Sequence, residues 1–154
     1  FVFAKSSIGA ENSIDQNVEK EIIISSESAS FDQKSGLIIL KEKVHLIFKN
    51  MIFKSDEMTL IFEKTKDAPP HKMSQIRKIS AEGNVLFQRE DQIITSNLAT
   101  FFLKKNKVSL TGNVKIVSGE KAGITSEKMI IDLNSGTSNF IGDVSSSILL
   151  EIKN

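Results

Sequence analysis

Self-similarity constrains this chain more than any single motif in it. Four serines, Ser26, Ser55, Ser96 and Ser126, are each preceded two residues earlier by an apolar residue (Ile24, Phe53, Ile94, Ile124). Three residues after each stands Ala29, Met58, Ala99 or Met129, and five after, Phe31, Leu60, Phe101 or Ile131. Eighteen residues beyond three of the serines comes a valine, Val44, Val114 or Val144. For Ser55 the valine is Val85, 30 residues on, which places an insertion of 12 residues near Lys64 to Gln75, around Pro69 and Pro70. Gly83, Gly112 and Gly142 precede their valines by two residues, with Glu42 as the exception. Ten residues after three of the serines stand Gly36, Asn106 and Gly136, residue types that accept the left-handed backbone of a tight turn. One unit therefore reads as strand, turn, strand.

The period of the apolar residues decides between strand and helix. Ile79, Ala81, Gly83, Val85 and Phe87 form one series, and Val108, Leu110, Gly112, Val114 and Ile116 the next, with mostly polar residues between them. Residues two apart share one face of a strand but fall on opposite sides of a helix. The 21 Ile and 8 Val, against 11 Leu and 7 Ala, agree, because side chains stiff at χ1 suit a pleated surface. The expected fold is all-β and antiparallel, with about eight main strand segments. The glycines recurring at one register predict a line of bends where each strand passes between two faces of a folded-over sheet. A sandwich or jelly roll with its dry faces looking at each other closes such a chain most simply. With 154 residues, one domain over 21–154 is expected, preceded by a polar, aperiodic arm that ends near residue 20.

Several function classes are poorly served by the inventory. Twenty Lys and Arg against 19 Asp and Glu leave no basic excess for a dedicated nucleic-acid binder, and the absence of Cys removes disulfides, thiolate catalysis and Cys-ligated zinc. His45 and His71 are the only histidines, and no nucleophile elbow, P-loop or dinucleotide fingerprint is present. Asp56 with Glu57, and Glu90 with Asp91, are adjacent in sequence, so on strands they would point to opposite faces and could not act together on one substrate. The reading is a protein that is not an enzyme and needs no cofactor or metal. At the start of the chain, Phe1-Val2-Phe3-Ala4 followed by Lys5-Ser6-Ser7 looks like the close of an apolar segment running into a signal-peptidase site, with a fragment boundary or the end of a membrane anchor as the other readings.

Lys78-Ile79-Ser80-Ala81-Glu82-Gly83-Asn84-Val85, then Ile94 to Ala99, then Leu110-Thr111-Gly112-Asn113-Val114, together resemble the repeating pattern of the OstA-like (LptA) family of periplasmic lipopolysaccharide-transport proteins. Asp132-Leu133-Asn134-Ser135-Gly136 continues the pattern, which covers about Ile22 to Ile152; Glu42 and the 12-residue insertion depart from it. The resemblance implies a β jelly roll open along one side, holding the acyl chains of lipopolysaccharide (its lipid A moiety) inside. It also implies a periplasmic location and head-to-tail stacking that bridges an inner-membrane-anchored LptC-like protein to an outer-membrane LptD-like translocon.

On that reading the groove is lined by Phe31, Val44, Leu60, Phe62, Val85, Phe87, Phe101, Leu103, Val114, Ile116, Ile131 and Phe140. A closed core made of the same residues is the alternative that the alternation alone allows. Stacking would use the terminal strands, through Ile22 and Ile24 at one end and Ile148, Leu150 and Ile152 at the other, because apolar edges left without charge or proline invite a neighbour's strand. The alternative is that the two ends pair with each other or are covered by the leading arm. Lys41, Lys43, Arg77, Lys78, Lys104, Lys105 and Lys107 gather near strand ends, where they would meet head-group phosphates or simply be solvated. Two other functions stay open: the periplasmic domain of the LptC-like relative, and a β-repeat interaction module without lipid cargo.

Overall fold

The computed structural model describes residues 2–5 (as backbone), 22–63, 76–119 and 122–149. Among them the chain is all strand and turn: β1 (Val2–Lys5), β2 (Ile22–Ser25), β3 (Ser28–Asp32), β4 (Leu37–Phe48), β5 (Met51–Phe62), β6 (Ile76–Arg89), β7 (Gln92–Phe102), β8 (Lys107–Ser118), β9 (Ala122–Asp132), β10 (Thr137–Ile141) and β11 (Ser145–Ile148). The eight expected segments are all present. The first is split into β2 and β3 and the last into β10 and β11, and β1 is an additional strand. The expected insertion at 64–75 lies between β5 and β6, outside the described residues, as does most of the leading arm.

All strands join one antiparallel sheet in the order β1-β2-β4-β5-β6-β7-β8-β9-β10, with β3 on β4 and β11 on β9. The sheet does not close into a barrel. Turn chemistry sets its hairpins. Asp32 Oδ1 accepts the amide of Lys34 at 3.0 Å, and Asp132 Oδ1 that of Asn134 at 2.9 Å. Gly36 and Gly136 then donate their amides back to the carbonyls of Asp32 and Asp132. Gly36, Asn106 and Gly136 all have positive φ, as their residue types predict.

A line of bulges crosses the middle of the sheet. At each one, two consecutive residues take positive φ: Glu42 and Lys43, Gly83 and Asn84, Gly112 and Asn113, Gly142 and Asp143. In β4, β6 and β8 these two residues face a single residue of the partner strand, for example between the pairs Thr111↔Lys128 and Val114↔Ser126. A doubled residue with left-handed backbone bends the strand sharply, and doing so at one register in successive hairpins folds the whole sheet. Glu42, the exception in the sequence pattern, has φ 67° and performs the same bend as the glycines.

The buried serines explain why the repeat is marked by that residue. Ser26, Ser55, Ser96 and Ser126 are the only buried polar residues among those described. Each donates its hydroxyl to the carbonyl two residues ahead, on Ser28, Glu57, Leu98 and Lys128, at 2.9–3.0 Å. A bulge interrupts the ladder at these points, and a short local donor supplies a hydrogen bond to the backbone there.

Contacts between rings show that the two halves face each other. Leu60 of β5 lies in one row with Ile79 and Phe101, seven residues along the strand from Phe53. On a flat sheet Phe53 and Phe101 would be about 24 Å apart along the strand direction alone. Their ring centroids are 6.0 Å apart. The crease has therefore brought the half that contains Phe53 onto the half that contains Phe101.

Candidate functional site: the apolar interior and the open edges

The interior is built from rows that cross the sheet in register. In the first half, Ile24, Leu46, Phe53, Phe87, Ile94, Ile116 and Ile124 follow one another from β2 to β9. In the second half, Ala29, Leu40, Met58, Ala81, Ala99, Leu110, Met129 and Phe140 run from β3 to β10. A parallel row carries Phe31, Ile38, Leu60, Ile79, Phe101, Val108 and Ile131. The small residues Ala81 and Ala99 leave room opposite the phenylalanines, and Phe53 stacks on Phe87 with centroids 4.6 Å apart.

Of the twelve residues expected to line a groove, Val44, Leu60, Phe62, Val85, Phe87, Phe101, Val114, Ile116 and Ile131 are buried between the halves. Leu103 and Phe140 are half-buried against that core. Phe31 occupies an inward register but is 49% exposed, because β3 is an edge strand and covers it on one side only. The residual space among Leu46, Phe53, Met58, Ile79, Ala81, Ala99 and Phe101 is about 10 Å³, the room of roughly one water. In this conformation the halves are in contact. An occupant of lipid size would have to part them.

The edges differ from one another. Ile22 and Ile24 of β2 are buried, and the outer side of β2 is taken by β1 in the register Lys5↔Ile22 to Val2↔Ser25. The open edges are therefore β1 and β3 at the N-terminal side and β10 and β11 at the C-terminal side. Ile148 is 67% exposed on β11; Leu150 and Ile152 lie outside the described residues. Ile141, Val144 and Leu149 are exposed along the same edge; Leu149 belongs to the terminal apolar stretch, while Ile141 and Val144 are not among the residues expected to stack. The signal was there in the apolar residues flanking Gly142, but alternation alone does not tell an edge from an interior strand.

Among the described residues the titratable groups form no reactive cluster. Among the described residues no group of three or more His, Asp or Glu is placed to hold a metal. His45 is half-buried on the outer side of β4, and His71 lies outside the described residues. Asp56 stands at the crease, where its Oδ2 accepts Asn84 Nδ2 at 2.9 Å, while Glu57 belongs to an outward row. Lys43 Nζ lies 3.2 Å from Glu27 Oε1, and its hydrogen bond and charge hold the Glu27 carboxyl below the ordinary carboxylate range. Lys104 pairs with Glu63, joining the β7–β8 turn to the end of β5.

A family model described as the LptA/(LptD N-terminal domain) lipopolysaccharide transport protein matches residues 23–145. No curated protein sequence matches the chain. Among solved structures, LptH, the LptA homologous periplasmic component of the lipopolysaccharide transport device from Pseudomonas aeruginosa, is similar at a TM-score of 0.70 and 14% identity, covering 84% of this chain and 95% of that one. That likeness is one of fold, and it reproduces the open, folded-over sheet. The family match spans the four repeated units between β2 and β11, so the chain belongs to the LptA/LptD N-terminal domain family of lipopolysaccharide transport proteins and is not an enzyme.

Proposed function

We propose that this protein is a periplasmic carrier that shields the acyl chains of lipopolysaccharide between the two halves of its sheet and stacks head to tail to bridge the inner and outer membranes. The observation that carries the reading is the continuous apolar interior of a sheet whose ends are not joined. A closed barrel admits a chain only through its mouths and cannot widen without breaking its ladder. An open, folded sheet admits one by parting its halves along the free edges, with the ladder intact. A ~12-carbon chain held out of water is stabilised by about 9 kcal/mol, at roughly 0.8 kcal/mol per CH₂. That is the scale needed to offset separation of the contacts around Phe53, Phe87 and Phe101.

Stacking is supported by the C-terminal edge, where Ile141, Val144, Ile148 and Leu149 are all at least half exposed. A copy of the chain, an LptC-like anchored protein or an LptD-like translocon would each present a complementary strand, pairing by backbone addition to β1 and β3 or to β10 and β11.

Photo-crosslinking tests the cargo. A crosslinking residue at Phe101 or Ile131 should give a lipopolysaccharide adduct, while one at the outward, exposed Thr111 should not. Adducts of equal yield from all three positions, or none from the inward pair, would overturn the reading.

A further inference from the structure

The outer surface of the sheet is uneven in a way the interior does not require. In the half that contains Phe53, one outward row runs Ile23, Ile47, Ile52, Gln88, Ile93 and Val117 in unbroken register from β2 to β8. Ile23, Ile47, Ile93 and Val117 are 37–40% exposed. Five strand spacings make the row about 24 Å long. The neighbouring outward row, nearer the crease, carries His45, Lys54 and Lys115 among Ser25, Leu86 and Thr95. Neither row contains an Asp or a Glu; among the described residues Asp56 stands beyond them at the crease, and Glu90 and Asp91 in the β6–β7 turn.

The outer surface of the other half is different. Lys41, Glu57, Glu82 and Lys128 share a row there with the exposed Leu98 and Ile141, and Lys78, Lys107 and Asp132 share another with Ile61 and Phe102. Both signs are mixed, as on an ordinary solvated face. An apolar stripe interrupted only by Gln88, beside a row whose charged side chains are all basic, is instead the pattern of a surface that meets an anionic interface. A second copy packed through the same face would bring Lys54 and Lys115 against their own counterparts, so self-association is disfavoured by like charge.

We propose that this outer face of the Phe53 half rests on an anionic lipid bilayer, with the Ile23–Val117 row at the level of the head groups and Lys54 and Lys115 against their phosphates. It lies on the opposite side of the same strands from the interior, so docking and cargo occupancy use different side chains.

Flotation of the full chain with vesicles tests this. Vesicles of phosphatidylcholine with about 30% phosphatidylglycerol should carry the protein upward at low salt, and vesicles of phosphatidylcholine alone should not. Lys54→Glu with Lys115→Glu should reduce anionic-vesicle binding by ~10-fold or more, and Ile47→Ser with Ile93→Ser should also weaken it. Lys41→Glu with Lys128→Glu, the same change of net charge on the other half, should leave binding as in the parent. Circular dichroism checks that each variant is folded. The proposal is overturned if the parent fails to float with anionic vesicles, if both charge-reversal pairs weaken binding equally, or if the isoleucine pair has no effect.

Discussion

Glycine-to-alanine changes at three positions separate two contributions to the crease. Gly112 has φ +85°, and a Cβ built there would lie 2.8 Å from Asn97 Nδ2 and 3.0 Å from Asn97 Cβ. Left-handed backbone costs a non-glycine residue about 1–2 kcal/mol. Crowding against an atom fixed to the neighbouring backbone adds on the order of 1 kcal/mol, because the Asn97 amide can swing away but its Cβ moves only with β7. Alanine recovers roughly 0.5 kcal/mol by restricting the unfolded chain. The expected net loss for Gly112→Ala is about 2 kcal/mol. Gly36 has φ +69° with nothing within 4 Å of its would-be Cβ, so Gly36→Ala carries the backbone part alone and should lose about 1 kcal/mol. Gly123 has no positive φ, and its nearest would-be neighbour is the Ile116 carbonyl oxygen at 3.7 Å, so Gly123→Ala should be neutral or slightly stabilising. Urea and thermal unfolding followed by far-UV circular dichroism give the three values, with about 2–4 °C in Tm per kcal/mol for a chain of this size. Equal losses at Gly36 and Gly112 would show that the crease is not tightly packed. A loss at Gly123 as large as that at Gly112 would refute the assignment of strain to φ.

Three further outcomes are expected. Phe101→Ala removes a ring that touches the opposite half and should lower stability by ~3–5 kcal/mol in denaturant titrations; a cost under about 1 kcal/mol would mean that the halves do not press together in solution. Ser96→Ala deletes the hydroxyl that bonds the Leu98 carbonyl and should cost about 1–2 kcal/mol, nearly additive with Ser26→Ala across the sheet, as double-mutant unfolding would measure. The Glu27 carboxyl should titrate below the ordinary glutamate value by NMR, so the stabilisation it draws from Lys43 is present above that ordinary value and is lost as pH falls through the lowered one. Lys43→Ala should raise the midpoint toward the ordinary range, and an unmoved midpoint would deny the pairing.

The repeat made the fold legible because each element of the unit answers one physical demand. Serine marks the place where the ladder is interrupted, glycine or asparagine the left-handed residue, and β-branched residues two apart the dry face. Edge effects were not legible in the same way. Phe31 shares its alternation with Phe101, yet only the number of neighbouring strands makes one exposed and the other buried. The pairing of β1 with β2 was hidden as well, since sixteen residues separate them and four residues carry little periodicity. The outward isoleucines escaped notice because a strand such as Ile22-Ile23-Ile24 or Leu46-Ile47-Phe48 is apolar on both faces, and alternation cannot then say which side is the core.

Because each full hairpin enters and leaves the crease at the same register, every one hands its neighbour a surface like the one it received. A further hairpin could be spliced in without disturbing the rest, lengthening the folded apolar interior by roughly 10 Å, two strand widths, each time. The length of the apolar interior is thus a counted quantity, set by how many times the unit is copied, and duplication alone can change it.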